Sequence, residues 1–292
     1  MDTSRYRAFI QASDEGSLSK AAKKLDYTPS GVSQLISALE RDLGFPVLER
    51  SKQGVKPTAE GERILPTIRS IVQDEDKLMQ MSAEIKGLSM GSVTIASYPS
   101  VATHWLPRVI KSFHEKYPAI EIRIMEGIHQ EVTAWLDNKE ADIGFISHEP
   151  SLDYDWIPLA YDPMIAVLPT NHPLAQADSY PVEQCNNEAF IMPGKGQDID
   201  TLGLLSRHEL HPKIAYETIE TAATLGMVEA GMGMTILNSL AALKYDFDLA
   251  KIPVDPPESI LFGIAAPSLN ACAPATARFV EEARAMLRGE GL

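Results

Sequence analysis

The chain has 292 residues, 45% of them hydrophobic, enough for about two or three domains with real cores. No apolar run approaches the ~18 residues of a transmembrane helix, and the opening MDTSRYRAFI lacks the basic start and apolar stretch of a secretory signal, so a cytoplasmic protein is expected. The net charge of −14 argues against a polyanion partner for the chain as a whole, but residues 1–58 hold nine Lys/Arg against seven Asp/Glu while the rest holds seventeen against thirty-three, a slightly basic head on an acidic body.

In chain order, TSRYRAFIQASDEG reads as a first helix, with Tyr6, Phe9 and Ile10 on one face and Gly16 at its end. Ser17 is placed to cap a second helix, LSKAAKKL, in which Ala21, Ala22 and Leu25 face inward. After the turn DYT, Thr28 is an N-cap and Pro29 takes the first helical position, where a missing N–H costs nothing. From Pro29 to about Asp42, at roughly 100° per residue, Val32, Ile36, Leu39 and Leu43 form an apolar stripe. Ser30, Ser33, Gln34, Ser37 and Arg41 fall on the opposite face. That face either meets solvent alone or meets a groove. A short helix, a tight turn and a second helix with a short-armed polar face is the helix-turn-helix pattern. Gln34 can then pair with adenine N6 and N7. The next stretch, GFPVLERSKQGVKPT, reads as two short strands around a Gly turn carrying Arg50, Lys52 and Lys56, a basic wing suited to phosphates. Ser17 and Lys20, at the start of the second helix, complete the expected DNA-contact set.

Residues 59–90 are rich in helix formers. Ile64, Ile68, Ile71, Leu78 and Ile85 follow a 4-3 spacing, with Glu75 and Ser82 at the skipped positions, close to a coiled-coil stripe. A helix of this length either packs on its own domain or pairs with a second chain, and a homo-oligomer (dimer or tetramer) is expected from it. Pro66 is placed to bend or start the helix.

From about Gly91 short strand candidates (SVTIAS, IEIRIM, ADIGFIS, MIAVLP, EAFIMP, KIAYET) alternate with helical stretches, which points to largely parallel sheets covered by helices. Ligands of such sheets bind beyond the carboxyl ends of strands. Those ends carry Ser97, Tyr98 and Ser100 after the first strand, Ile128 after the second, Ser147 after the third, and Pro193, Gly194 and Lys195 further on. Each serine could equally be a helix cap or turn residue. A helix N-terminus after the first strand favours an anion, and Lys195 could answer a carboxylate ligand or stay solvated.

The stretch from Gly16 to Leu65, with its AA pair, the V-S within the second helix, LE..LG, L.ER and T.aG, resembles the N-terminal winged helix-turn-helix of the LysR-type transcriptional regulators. Members often carry Arg after the V-S pair, where this chain has Gln34. The resemblance implies an α+β multi-domain protein: a winged helix-turn-helix DNA-binding domain (1–58), a dimerising linker helix (59–90) and a two-lobed α/β effector domain (91–292) like that of periplasmic solute-binding proteins. Its lobes would be 91–162 with 267–292, and 163–266, crossed by two strands. By the same resemblance Ser100, Ile128, Ser147, Pro193 and Gly194 line the effector cleft. The expected partners are a pseudo-palindromic operator in double-stranded DNA, a small-molecule effector for which an anion is one option, further copies of the chain and RNA polymerase.

Two other classes fit less well. A solute-binding protein would not carry the winged head, and an enzyme reading finds no GxSxG, GxGxxG, Walker loop or HExxH. No metal or cofactor is expected, since the seven histidines are scattered without ligand spacing. Cys185 and Cys272, far apart, suggest a reducing compartment without a disulfide framework.

Overall fold

The computed structural model describes residues 3–51, 54–243 and 245–288. The head is three helices, α1 (Ser4–Glu15), α2 (Leu18–Lys24) and α3 (Pro29–Leu43). Local chemistry sets their ends. Gly16 closes α1 in a left-handed conformation, the Ser17 side chain caps α2 by accepting from Lys20 N, and Thr28 Oγ1 accepts from Gly31 N at 3.1 Å to start α3. Ala8, Phe9, Ala12, Ala21, Val32 and Ile36 are buried together, and the alanines let the helices approach closely. Leu43 departs from the expected stripe. It is 39% exposed because α3 ends at Gly44, so its last turn runs past the core.

A hairpin of β1 (Leu48–Ser51) and β2 (Gly54–Pro57) forms the wing. It is held to the head by Val55 N donating to Gly16 O at 2.9 Å. Gly54 is required there: its φ is +131°, and a Cβ would lie 2.3 Å from Gly16 O.

Helix α4 (Ala59–Ile85) starts at Thr58, whose Oγ1 accepts from Gly61 N at 2.9 Å, and runs through Pro66, which neither starts nor ends it. The stripe along α4 divides. Ile68 is buried in the head core and Ile64 packs against it, so these two are taken up within the chain rather than offered to a partner. Ile71 (40% exposed), Leu78 (48%) and Ile85 (86%) remain open. The helix is long, 27 residues or about 40 Å, and its contacts with the head run as far as Glu75 and Asp76, which pair with Arg7.

The body opens with β3 (Gly91–Ser97), α5 (Pro99–His104), α6 (Leu106–Lys116), β4 (Ile120–Glu126), α7 (His129–Asp137) and β5 (Ile143–Ser147). The long strand β6 (Asp155–Pro169) then carries the chain into a second lobe of β7 (Tyr180–Pro181), β8 (Ala189–Met192), α8 (Ile199–Arg207), β9 (Lys213–Glu217), α9 (Thr221–Glu229), β10 (Thr235–Asn238), α10 (Ser239–Ala242) and β11 (Leu249–Asp255). Strand β12 (Ser259–Ala266) returns, and α11 (Pro274–Leu287) closes the chain on α6 and β3. The main sheet runs β4-β3-β5-β12-β6-β11-β7, with β10 also on β6.

Two expectations change here. Pairing is mixed rather than largely parallel: β3 is parallel to β4 and β5, but β12 is antiparallel to β5 and β6, and β10 and β11 are antiparallel to β6. And β12, expected in the second lobe (163–266), pairs inside the first, through Phe262–Ser147 and Ile264–Phe145. A strand's composition marks it as a strand but does not name its neighbour. The lobes therefore exchange chain within β6, whose first part pairs with β12 and whose last part pairs with β10 and β11, and again just before β12.

Candidate DNA interface and effector cleft

On α3, Val32, Ile36 and Leu39 are buried, while Ser30, Gln34, Ser37 and Arg41 are exposed and Ser33 is partly so. Serine, glutamine and one arginine thus form an uninterrupted polar face. Arg50 on the wing reaches this face and donates to Ser33 Oγ at 3.0 Å, so wing and α3 present one surface. Lys56 is exposed and pairs with Glu49 at 3.2 Å, and Lys20 is exposed beside the α2 cap. Ser17 is taken up as that cap. Lys52 lies outside the described residues.

The second region is a cavity of about 320 Å³ between the lobes. The first lobe contributes Tyr98, Ser100, Ile128 and His129, and the second contributes Pro193, Gly194, Asp198, Asp200 and Tyr245. Every one of these except Tyr245 sits within a few residues of a strand end or a helix start, where the fold turns backbone and side chains toward the gap. Contacts cross between the lobes. Gln130 Nε2 donates to Gln197 O at 3.2 Å, Lys195 Nζ is 3.7 Å from Glu131 Oε1, and Ser147 Oγ bonds the Asp200 carboxyl.

Behind the cavity runs a polar chain. Tyr98 Oη lies 3.1 Å from Ser147 Oγ and 2.6 Å from His129 Nδ1, and His129 Nε2 lies 2.7 Å from Glu149 Oε2. Burial pushes the Tyr98 phenol well above its ordinary range, and the charge of Asp200 adds to the effect. Burial also lowers the His129 imidazole, against the opposing pull of Glu149, which favours a neutral ring near pH 7. The Asp200 carboxyl is pushed up to about 7, first by burial and then by the neighbouring charge of Asp198.

Comparison with known proteins covers both parts of the chain. Residues 3–62 match the family model for bacterial regulatory helix-turn-helix proteins of the lysR family, and residues 86–288 match the LysR substrate binding domain. The chain belongs to the LysR family of transcriptional regulators. It is 28% identical over 295 residues to the HTH-type transcriptional regulator YvbU of Bacillus subtilis, covering 99% of this chain and all of that protein. In fold it is similar to full-length OxyR from Pseudomonas aeruginosa, with a TM-score of 0.77 at 20% identity, covering 97% and 95% of the two chains. Its body is similar to the effector binding domain of QuiR in complex with shikimate, with a TM-score of 0.62 at 20% identity, covering 70% of this chain and all of that one.

In this LysR-type regulator the expected cleft residues do not all reach the cavity. Tyr98, Ser100, Ile128, Pro193 and Gly194 line it. Ser97 does not: it is fully buried and donates to Tyr98 O at 3.2 Å, because an alternating strand turns that side chain into the sheet's packing. Ser147 is also buried; it bonds Tyr98 and Asp200 and lines a neighbouring cavity between the lobes that shares Ile199 and Asp200 with this one. Missing from the sequence reading were Glu126, His129, Glu131, Asp198, Asp200 and Glu220. The available signal was an acidic or imidazole side chain within three residues of each helix start, which reads as ordinary capping: Glu131 accepts from Ile128 N at 3.0 Å and Asp198 accepts from Thr201 N at 2.8 Å.

Proposed function

We propose that α3 enters the major groove of operator DNA with Ser30, Ser33, Gln34, Ser37 and Arg41 toward the bases, while Arg50, Lys52 and Lys56 of the wing, with Lys20, meet phosphates. The observation that carries this reading is the α3 face itself, polar and open on a helix whose opposite stripe buries Val32, Ile36 and Leu39 in the core. One such helix reads few base pairs. Two, joined through the open part of α4 at Ile71, Leu78 and Ile85, read half-sites about one helical turn apart. We assign residues 1–58, 59–90 and 91–292 to head, linker and body on this basis, with a homotetramer built from such pairs.

The cleft between the lobes binds a small-molecule effector at Tyr98, Ser100, Ile128, Pro193 and Gly194. The effector favours one arrangement of the oligomer, and its leverage equals its differential affinity for the arrangements. Changed spacing of the heads alters DNA bending and the access of RNA polymerase. No helix among the described residues is long and apolar enough to cross a membrane, which is consistent with work on cytoplasmic DNA.

The test uses a labelled fragment carrying the region upstream of the protein's own gene, footprinted with and without a small-molecule extract of the same cells. A salt-sensitive, sequence-specific footprint that the extract rearranges is expected. Ser100→Trp fills the cleft, so it should retain the footprint and lose the rearrangement. Loss of both together would sink the division between head and body.

A further inference from the structure

We infer that the effector of this cleft is a small organic cation, an amine or ammonium compound with an apolar portion, rather than an anion. This rests on the cleft being the effector site. Five acidic side chains line the cavity, those of Glu126, Glu131, Asp198, Asp200 and Glu220, against one ammonium, that of Lys195, among the described residues. The lone cation already faces Glu131 at 3.7 Å. His129 does not restore the balance, because burial disfavours its charged form.

At two of the helix starts that face the cleft, the backbone groups that draw anions are already engaged by the chain's own carboxylates. A helix N-terminus attracts a carboxylate through its free backbone N–H groups. At α7 the Ile128 N–H is donated to Glu131, and at α8 the Thr201 N–H is donated to Asp198. An incoming anion would compete with these internal carboxylates and meet the fields of Glu126 and Glu220 besides.

The remaining walls suit a cation with a hydrocarbon body. The rings of Tyr98 and Tyr245 line the cavity, and aromatic faces attract cations. Ile128, Ile199, Ile219 and Ala241 supply apolar surface. The deepest carboxyl is that of Asp200, held by Ser147 and raised by burial beside Asp198. An ammonium seated between these two aspartates removes the repulsion that raises it.

The experiment is calorimetric titration of the full-length protein with probe pairs of similar size and opposite charge: phenethylamine against 3-phenylpropionate, and cadaverine against pimelate. Each amine should bind more tightly than its carboxylate counterpart by about tenfold or more, as a cleft lined by one sign of charge dictates. The preference should collapse in the isosteric double variant Asp198→Asn/Asp200→Asn. Equal binding within the pairs, tighter carboxylates or no binding of any probe overturns the inference. The effector reading itself stands or falls separately, on whether Ser100→Trp abolishes the rearrangement driven by cell extract.

Discussion

The head and the cleft are built on opposite plans. The DNA face is carried by one helix and a neighbouring hairpin, holds only a few cations, Lys20, Arg41, Arg50 and Lys56 among the described residues, and lies open. The cleft is gathered from the ends of several strands spread over about half the chain, is crowded with carboxylates, and is closed across by Gln130–Gln197 and Lys195–Glu131. A surface meant for a long polyanion needs few charges of its own when it works in copies, since each phosphate contact releases a counterion. A pocket meant for one small molecule must hold its selectivity in a few sheltered groups, and burial makes each of those groups count for more.

If the two regions are separately built, damage to one core should leave the other standing. Ile36 is fully buried among Phe9, Val32 and Leu39. Ile36→Ala should cost the head about 2–4 kcal/mol and remove DNA binding, while the body keeps its own unfolding transition and its ligand binding. Calorimetry on the full chain checks this. A single transition shifted as a whole would show that α4, through Ile68 in the head core and Gln80 Oε1 accepting from Ala275 N at 3.2 Å, fuses the regions into one unit.

The cleft gives the next effect in size. The Asp200 carboxyl sits at about 7 in the folded chain, above its ordinary value. A group raised in this way contributes stability that is fully present below about pH 4, where both states hold the proton, and is lost progressively as pH rises from there through about 7. Asp200→Asn keeps the shape and the bond to Ser147 without the charge. The variant should be more stable than the parent at about pH 8, by something on the order of 2 kcal/mol, and the difference should fall to about a third of that at about pH 5. Urea unfolding at the two pH values decides. A variant that is less stable at the higher pH would mean that the carboxylate is held by favourable contacts, against the burial argument.

The same contrast explains what the sequence made legible. On α3 the period, the Thr28 cap and the Pro29 start are local, so helix, core stripe and polar face can all be read before the fold is known. The resemblance to a family supplied the rest of the architecture. Ser97 failed as a cavity-facing residue because the direction of a side chain at a strand end depends on how the sheet is continued. Strand β12 was placed in the wrong lobe for the same reason, since its partners β5 and β6 lie about 100 residues upstream. Asp198, Asp200 and Glu220 looked like helix-start residues, and Asp198 is one. Only the fold brings them to one cavity with Glu126 and exposes the excess of negative charge. Ile64 and Ile68 obeyed the dimer spacing yet belong to the head, because one periodic stripe can serve two contacts in succession.

Within the head, the smallest effects separate reading from positioning. Gln34 and Arg50 both stand on the open surface, but Arg50 is tied to Ser33 Oγ, and Gln34 has no such tether among the described residues. Gln34→Ala should cost about 1 kcal/mol or more on its preferred operator and much less on operators altered at one base pair, which relaxes specificity there. Arg50→Ala should weaken every sequence alike and reduce the salt slope by about one. Binding measured on an operator series at several salt concentrations distinguishes the two patterns. If Gln34→Ala instead lowered all affinities together with the salt slope, α3 would be lying along the backbone rather than in the groove. Its short polar face would then serve to approach phosphates closely, and base reading would have to pass to Ser33, Ser37 and Arg41.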